Sequence, residues 1–173
     1  MRRARGMVAW GLAGPLILAA PAPALDTPNE RVTLAGLTGV HVVVEEVTPD
    51  GEREGLTRAS LQAEVEQRVR RAGLRPLTAT EALAAVGRPT LNLRVALLKS
   101  REAPQLYVYS IDLTLRQQIR LVRERSIESF AITWSENRDV GAVPAARLST
   151  VRDAVRAKVD QFLQAWQTVN EDR

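Results

Sequence analysis

From Leu106 to Val122, apolar and polar residues alternate with a period of two. Tyr107, Tyr109, Ile111, Leu113 and Leu115 fall on one side, and Ile119 and Leu121 continue it beyond Gln117. Ser110, Asp112, Thr114, Arg116, Gln118 and Arg120 fall on the other. Successive side chains of an extended chain point to opposite faces, so this stretch requires a long strand with one face covered and one face wet. Antiparallel sheets meet that condition. Parallel strands buried on both faces read instead as unbroken apolar runs.

The flanking segments fit the same sheet. Thr90–Lys99 sets Leu91, Leu93, Val95 and Leu97 against Asn92 and Arg94. Ile127–Ser135 is read as a strand with Phe130, Ile132 and Trp134 on a common face. The connections at 100–105 and 123–126 are short and polar, so the three strands are expected to form an antiparallel meander. Upstream, the valines between Leu37 and Val47 indicate a first strand, and Thr48-Pro49-Asp50-Gly51 reads as a turn.

Helices account for most of the remainder. Leu61, Val65, Val69 and Ala72 make one apolar stripe over 58–72, with Thr57 as N-cap and Gly73 as stop. A short strand at 74–77 leads to Thr78-Ala79-Thr80-Glu81, a capping box that opens a short helix ending at Gly87. After a loop at 137–147 containing Gly141 and Pro144, Val151, Val155, Val159, Phe162, Trp166 and Val169 recur at helical spacing over 149–169. The order β-α-β-α-β-β-β-α predicts an α+β two-layer sandwich, with helices packed on one face of an antiparallel meander.

The amino terminus carries a different signal. Arg2, Arg3 and Arg5 precede an apolar stretch from Met7 to Ala20, and Pro21-Ala22-Pro23-Ala24 supplies small residues at a cleavage site. This is the pattern of a cleavable signal peptide. Residues 1–24 are therefore expected to be removed, and the protein to be periplasmic or secreted. The membrane is touched only through the uncleaved segment. Residues 25–36 read as a flexible leader, 37–170 as a single domain and 171–173 as a tail. Cleavage would remove three of the 24 basic residues and none of the 20 acidic ones. The near-neutral chain that remains gives no reason to expect nucleic acid as a partner.

The residues bound the chemistry. With no cysteine there is no disulfide, thiolate metal site or cysteine nucleophile. His41, the single histidine, lies among valines and reads as structural. Asp50, Glu52 and Glu54 alternate, but lack the further ligands and terminal glutamate of a calcium loop. No phosphate-binding, dinucleotide-binding or nucleophile-elbow motif occurs. The reading is therefore no metal, no cofactor and no catalytic residue. Trp134 reads as an inward aromatic near Trp166.

The segments Leu61-x-x-Glu64-Val65-x-x-Arg68-Val69-x-x-Ala72-Gly73-Leu74, Leu91-Asn92-Leu93-x-Val95 and Tyr107-x-Tyr109-Ser110-Ile111-x-Leu113 resemble small secreted bacterial proteins of unknown function. So do Thr133-Trp134-Ser135 and Val169-Asn170. The element order is also similar to envelope domains such as the amino-terminal domain of TolB and the periplasmic part of the curli secretion channel. That resemblance implies a binding or assembly role and no site residues. The expected function is a non-enzymatic envelope domain whose partner is a cell-envelope protein. It would dock on the polar face at Arg94, Asp112, Arg116 and Arg120, or by strand addition at the free edge of the meander. Asp112 lies beside Arg116 and Arg120 on the polar face and reads as an acid balanced by a surface arginine. The alternatives are an enzyme with a carboxylate site around Asp112, and a carrier of a small ligand between helices and sheet.

Overall fold

The computed structural model describes residues 26–45, 47–136 and 138–171. The expected signal peptide at 1–24 lies outside the described residues, as does the tail beyond Glu171. The described chain is an α+β fold around a six-stranded mixed sheet. Its strands are β1 (Gly39–Val44), β2 (Arg75–Pro76), β3 (Thr90–Lys99), β4 (Leu106–Leu121), β5 (Glu124–Ser135) and β6 (Asp139–Pro144). The helices are α1 (Pro28–Arg31), α2 (Pro49–Arg53), α3 (Arg58–Arg71), α4 (Ala79–Ala84) and α5 (Ser149–Asn170). Strand order is β2-β1-β3-β4-β5, with β6 also on β4. The β1–β2 and β1–β3 pairs are parallel, and β3, β4 and β5 form the antiparallel meander that the alternation predicts.

Local chemistry sets the helix ends. The Thr57 hydroxyl accepts from the Ser60 amide at 3.2 Å and starts α3. Gly73 ends it at φ +90°, a conformation open to glycine at little cost. Thr78 and Glu81 form the reciprocal capping box at α4. The sheet's inner face carries Val40, Val42, Leu91, Leu93, Ile111, Leu113 and Leu115, all buried. Helices α3 and α5 cover it with Leu61, Val65, Val69, Val155, Val159 and Phe162.

Four expectations need correction. The first is the flexible leader. Its described part, 26–36, is folded: α1 and the following 3-10 turn over Val32–Leu34 carry Leu34 into the core at 0% exposure. The Trp134 indole donates to Asp26 at 2.9 Å, and Arg31 grips the same carboxylate at 2.5–2.9 Å. The leader reads as unstructured because its apolar residues are too few to show a period. Its anchor is a contact 108 residues away in sequence.

The second is the loop at 137–147, whose start is strand β6. Gly141 and Pro144 are strong punctuators in a sequence. Here the Tyr109 ring lies over Gly141, and a Cβ at that position would come within 2.7 Å of the Tyr109 hydroxyl. The glycine marks a close approach within a strand. β5 pairs with Thr114–Leu121 and β6 with Leu106–Ile111, so the two run end to end along one edge of β4.

The third is the common face of Phe130, Ile132 and Trp134. A register shift between Leu115 and Arg116 inserts one extra residue into β5. Such a bulge reverses the side-chain phase. Trp134 points inward at 0% exposure, while Phe130 and Ile132 point outward at 47% and 58%. The expected turn after β1 is likewise a one-turn helix, α2, with Pro49 at its first position.

Candidate functional site

The outer face of the sheet is the side opposite α3 and α5. In the β3–β4 ladder Thr90 faces Arg116, Asn92 faces Thr114 and Arg94 faces Asp112, all on this side. Asn92, Arg94, Asp112, Thr114 and Arg116, with Glu45, Arg138 and Ile132, line a shallow depression of about 380 Å³. Arg94 donates to Glu45 at 2.6 Å, and Arg138 donates to Asp112 at 2.9 Å. The Arg116 guanidinium lies over the Phe130 ring, 6.0 Å from its centroid. This contact is a cation–π interaction at the margin of useful range.

Three of the four residues expected on an interaction face therefore meet in one depression. Arg120 does not. It pairs with Glu128 at 2.7 Å on the β4–β5 hairpin, beyond the end of the β3 pairing. Asp112 is balanced by a surface arginine, which is neither Arg116 nor Arg120. Its partner Arg138 comes from the stretch read as a loop, so no local spacing in β4 could have revealed it.

The same face holds more apolar surface than its sequence suggests. Leu98, Val108, Phe130, Ile132 and Val140 are all exposed there, at 45–62%. Phe130 and Ile132 are on this side only because of the bulge. Val140 is there because β6 is a strand.

Strand addition has two different edges to consider. The free edge of β1 is closed by Gln62 of α3, whose side-chain amide donates to the Val42 carbonyl at 2.7 Å and accepts from the Val44 amide at 3.0 Å. It thus occupies the place of a neighbouring strand's peptide group. The other edge is formed by β5 and β6.

The remaining candidate groups have protein partners. His41 Nδ1 lies 2.9 Å from the Leu77 carbonyl, an acceptor, so this nitrogen carries the proton. Asp50 accepts from the Lys99 amide at 2.8 Å and pairs with Arg53. Glu54 accepts from the Tyr107 hydroxyl at 2.5 Å. Among the described residues no group of three or more His, Cys, Asp or Glu is placed to hold a metal. The Trp134 ring meets Phe162 edge-on at 5.1 Å, and Trp166 donates instead to the Leu37 carbonyl at 2.8 Å.

Sequence reasoning also missed the charged clamp behind the sheet. Glu64 on α3 accepts from Arg152 at 3.0 Å and from Arg156, both on α5. Burial pushes the Glu64 carboxyl up, but the bonds and charges of Arg156 and Arg152 outweigh it and hold the carboxyl below its ordinary value. Asp26 is shifted the same way: burial raises it, and Arg31 and Trp134 more than offset this. A depressed folded-state pKa means that the unfolded chain binds the proton first on acidification. The clamp's stabilisation is then complete above about pH 5 and is lost as pH falls through the folded value. Glu64→Gln should cost about 1–3 kcal/mol at neutral pH. Melting curves of the two proteins should converge between pH 7 and pH 3. A gap that stays constant with pH would show that the Glu64 charge contributes nothing.

No family model matches this chain, and neither does any curated protein. Among solved structures, a PelC dodecamer from Paraburkholderia phytofirmans is similar at 16% identity, over 77% of this chain and 90% of that one. The TM-score is 0.43, and a likeness at that level transfers neither fold nor function.

Proposed function

We propose that this chain is an exported, non-enzymatic domain that binds a protein of the cell envelope through the outer face of its sheet. The observation that carries the reading is the composition of that uncovered face. Exposed Val108, Phe130, Ile132 and Val140 share this face with charged groups that include Arg94, Asp112 and Arg116. Protein interfaces combine exposed apolar side chains with polar and charged groups in this way. Export rests on the amino-terminal sequence pattern, and the envelope on the resemblance that the sequence carries.

The test is charge reversal. Arg94→Glu with Arg116→Glu removes one solvent-screened ion pair and leaves the core untouched. The double variant should fold normally by circular dichroism. It should lose roughly tenfold or more in capture of a partner cross-linked to the wild-type protein in the envelope fraction. The wild-type protein recovered from the envelope fraction should have an intact mass that corresponds to a start near Leu25. Undiminished capture by the folded variant would reject the sheet face as the docking surface.

A further inference from the structure

The outer depression holds a donor without an acceptor. Asn92 Nδ2 is shut off from solvent and has no hydrogen-bond partner among the described residues. Buried amides of this kind are rare, and each calls for an explanation. Thr114 lies directly across the ladder from Asn92, and Arg116 is the next outward residue along β4. Arg94 and Arg138 are committed to Glu45 and Asp112. Arg116 has no carboxylate partner among the described residues, only the Phe130 ring. The depression therefore holds three guanidinium groups against two carboxylates, with the surplus charge on the same outer face as the orphaned amide. Ile132 faces Arg116 from β5 and supplies an apolar wall.

We infer that this depression binds a carboxylate carried on an apolar group, as the end of a peptide chain with an aliphatic last residue presents it. Arg116 donates to the carboxylate, the Asn92 amide joins it by a side-chain rotation out of its enclosed position, and the aliphatic side chain lies against Ile132 and Phe130. A planar carboxylate suits a guanidinium fork. Glu45 and Asp112 do not repel it, because each already has an arginine at hydrogen-bond distance. The inference rests on the proposed docking role of this face and names the group that the partner inserts.

N-acetyl-leucine is the probe, followed by the side-chain amide resonances of Asn92 in 15N-labelled protein. Saturable shifts at millimolar probe are expected. They should be absent with N-acetyl-leucinamide, which lacks the charge, and weaker with acetate, which lacks the apolar body. Arg116→Gln should weaken binding roughly tenfold. Asn92→Leu should abolish binding yet leave the melting temperature unchanged or raised, because an apolar group replaces an unsatisfied one. Equal shifts with the amide or with inorganic phosphate would overturn the carboxylate assignment. So would unchanged binding in Arg116→Gln, or a marked fall in the melting temperature of Asn92→Leu. Loss of partner capture in the Arg94/Arg116 double variant without any probe binding would overturn this inference alone. Probe binding with undiminished capture would instead support the carboxylate site and reject only the docking reading.

Discussion

Replacing Trp134 with alanine should destabilise the fold by about 3–5 kcal/mol, the usual cost of removing a large aromatic from a core. For a domain of this size that is a fall in melting temperature on the order of 10 °C. Two effects combine. The Trp134 ring is fully buried with its edge contact to Phe162, so its removal leaves a cavity between β5 and α5. The indole N–H also donates to Asp26, so the amino-terminal segment loses one of its anchors. Trp134→Phe separates the two, since it keeps most of the packing and forfeits the hydrogen bond. It should cost about 1–3 kcal/mol. Urea unfolding followed by circular dichroism measures both. A loss below about 1 kcal/mol for the alanine variant would mean that the ring is not in the core, and that Phe130, Ile132 and Trp134 share an outer face after all.

Leu34→Ala should have an effect of similar size, about 2–5 kcal/mol. The side chain is fully buried although it lies in a segment with no sequence signature of structure. Val32, two residues earlier, is 66% exposed, and its replacement by alanine should stay within about 0.5 kcal/mol. The contrast between two neighbouring aliphatic residues is the test, again by urea unfolding. If residues 26–36 formed a leader detached from the domain, both substitutions would be neutral. Asp26→Ala should reproduce part of the Leu34 effect, because it breaks the bonds from Trp134 and Arg31 together.

The legible parts of this protein were those set by short-range pattern. The period-two run in β4 dictated a strand with one buried side, whatever its neighbours, because side-chain direction follows from extended geometry alone. Thr57, Gly73 and the Thr78–Glu81 pair located helix ends, because capping is a contact between residues a few positions apart. The stripe on α5 likewise foretold the side that it would bury.

Tertiary structure decided everything that depends on phase or on distant partners. One extra residue in β5 separates Trp134 from Phe130 and Ile132, and a single-residue bulge leaves no trace in composition. Gly141 looks like a break until Tyr109 is laid across it. Asp112 finds Arg138 26 residues away, and Glu64 finds Arg156 92 residues away. The candidate site is of this second kind. Arg94, Asp112 and Arg116 could be assigned to one face from alternation, because each position was fixed by its own strand. The orphaned Asn92 amide, the uncommitted Arg116 and the Ile132 wall became a depression only through the register between three strands. Register is fixed by the packing of the whole buried face, and no local segment encodes it.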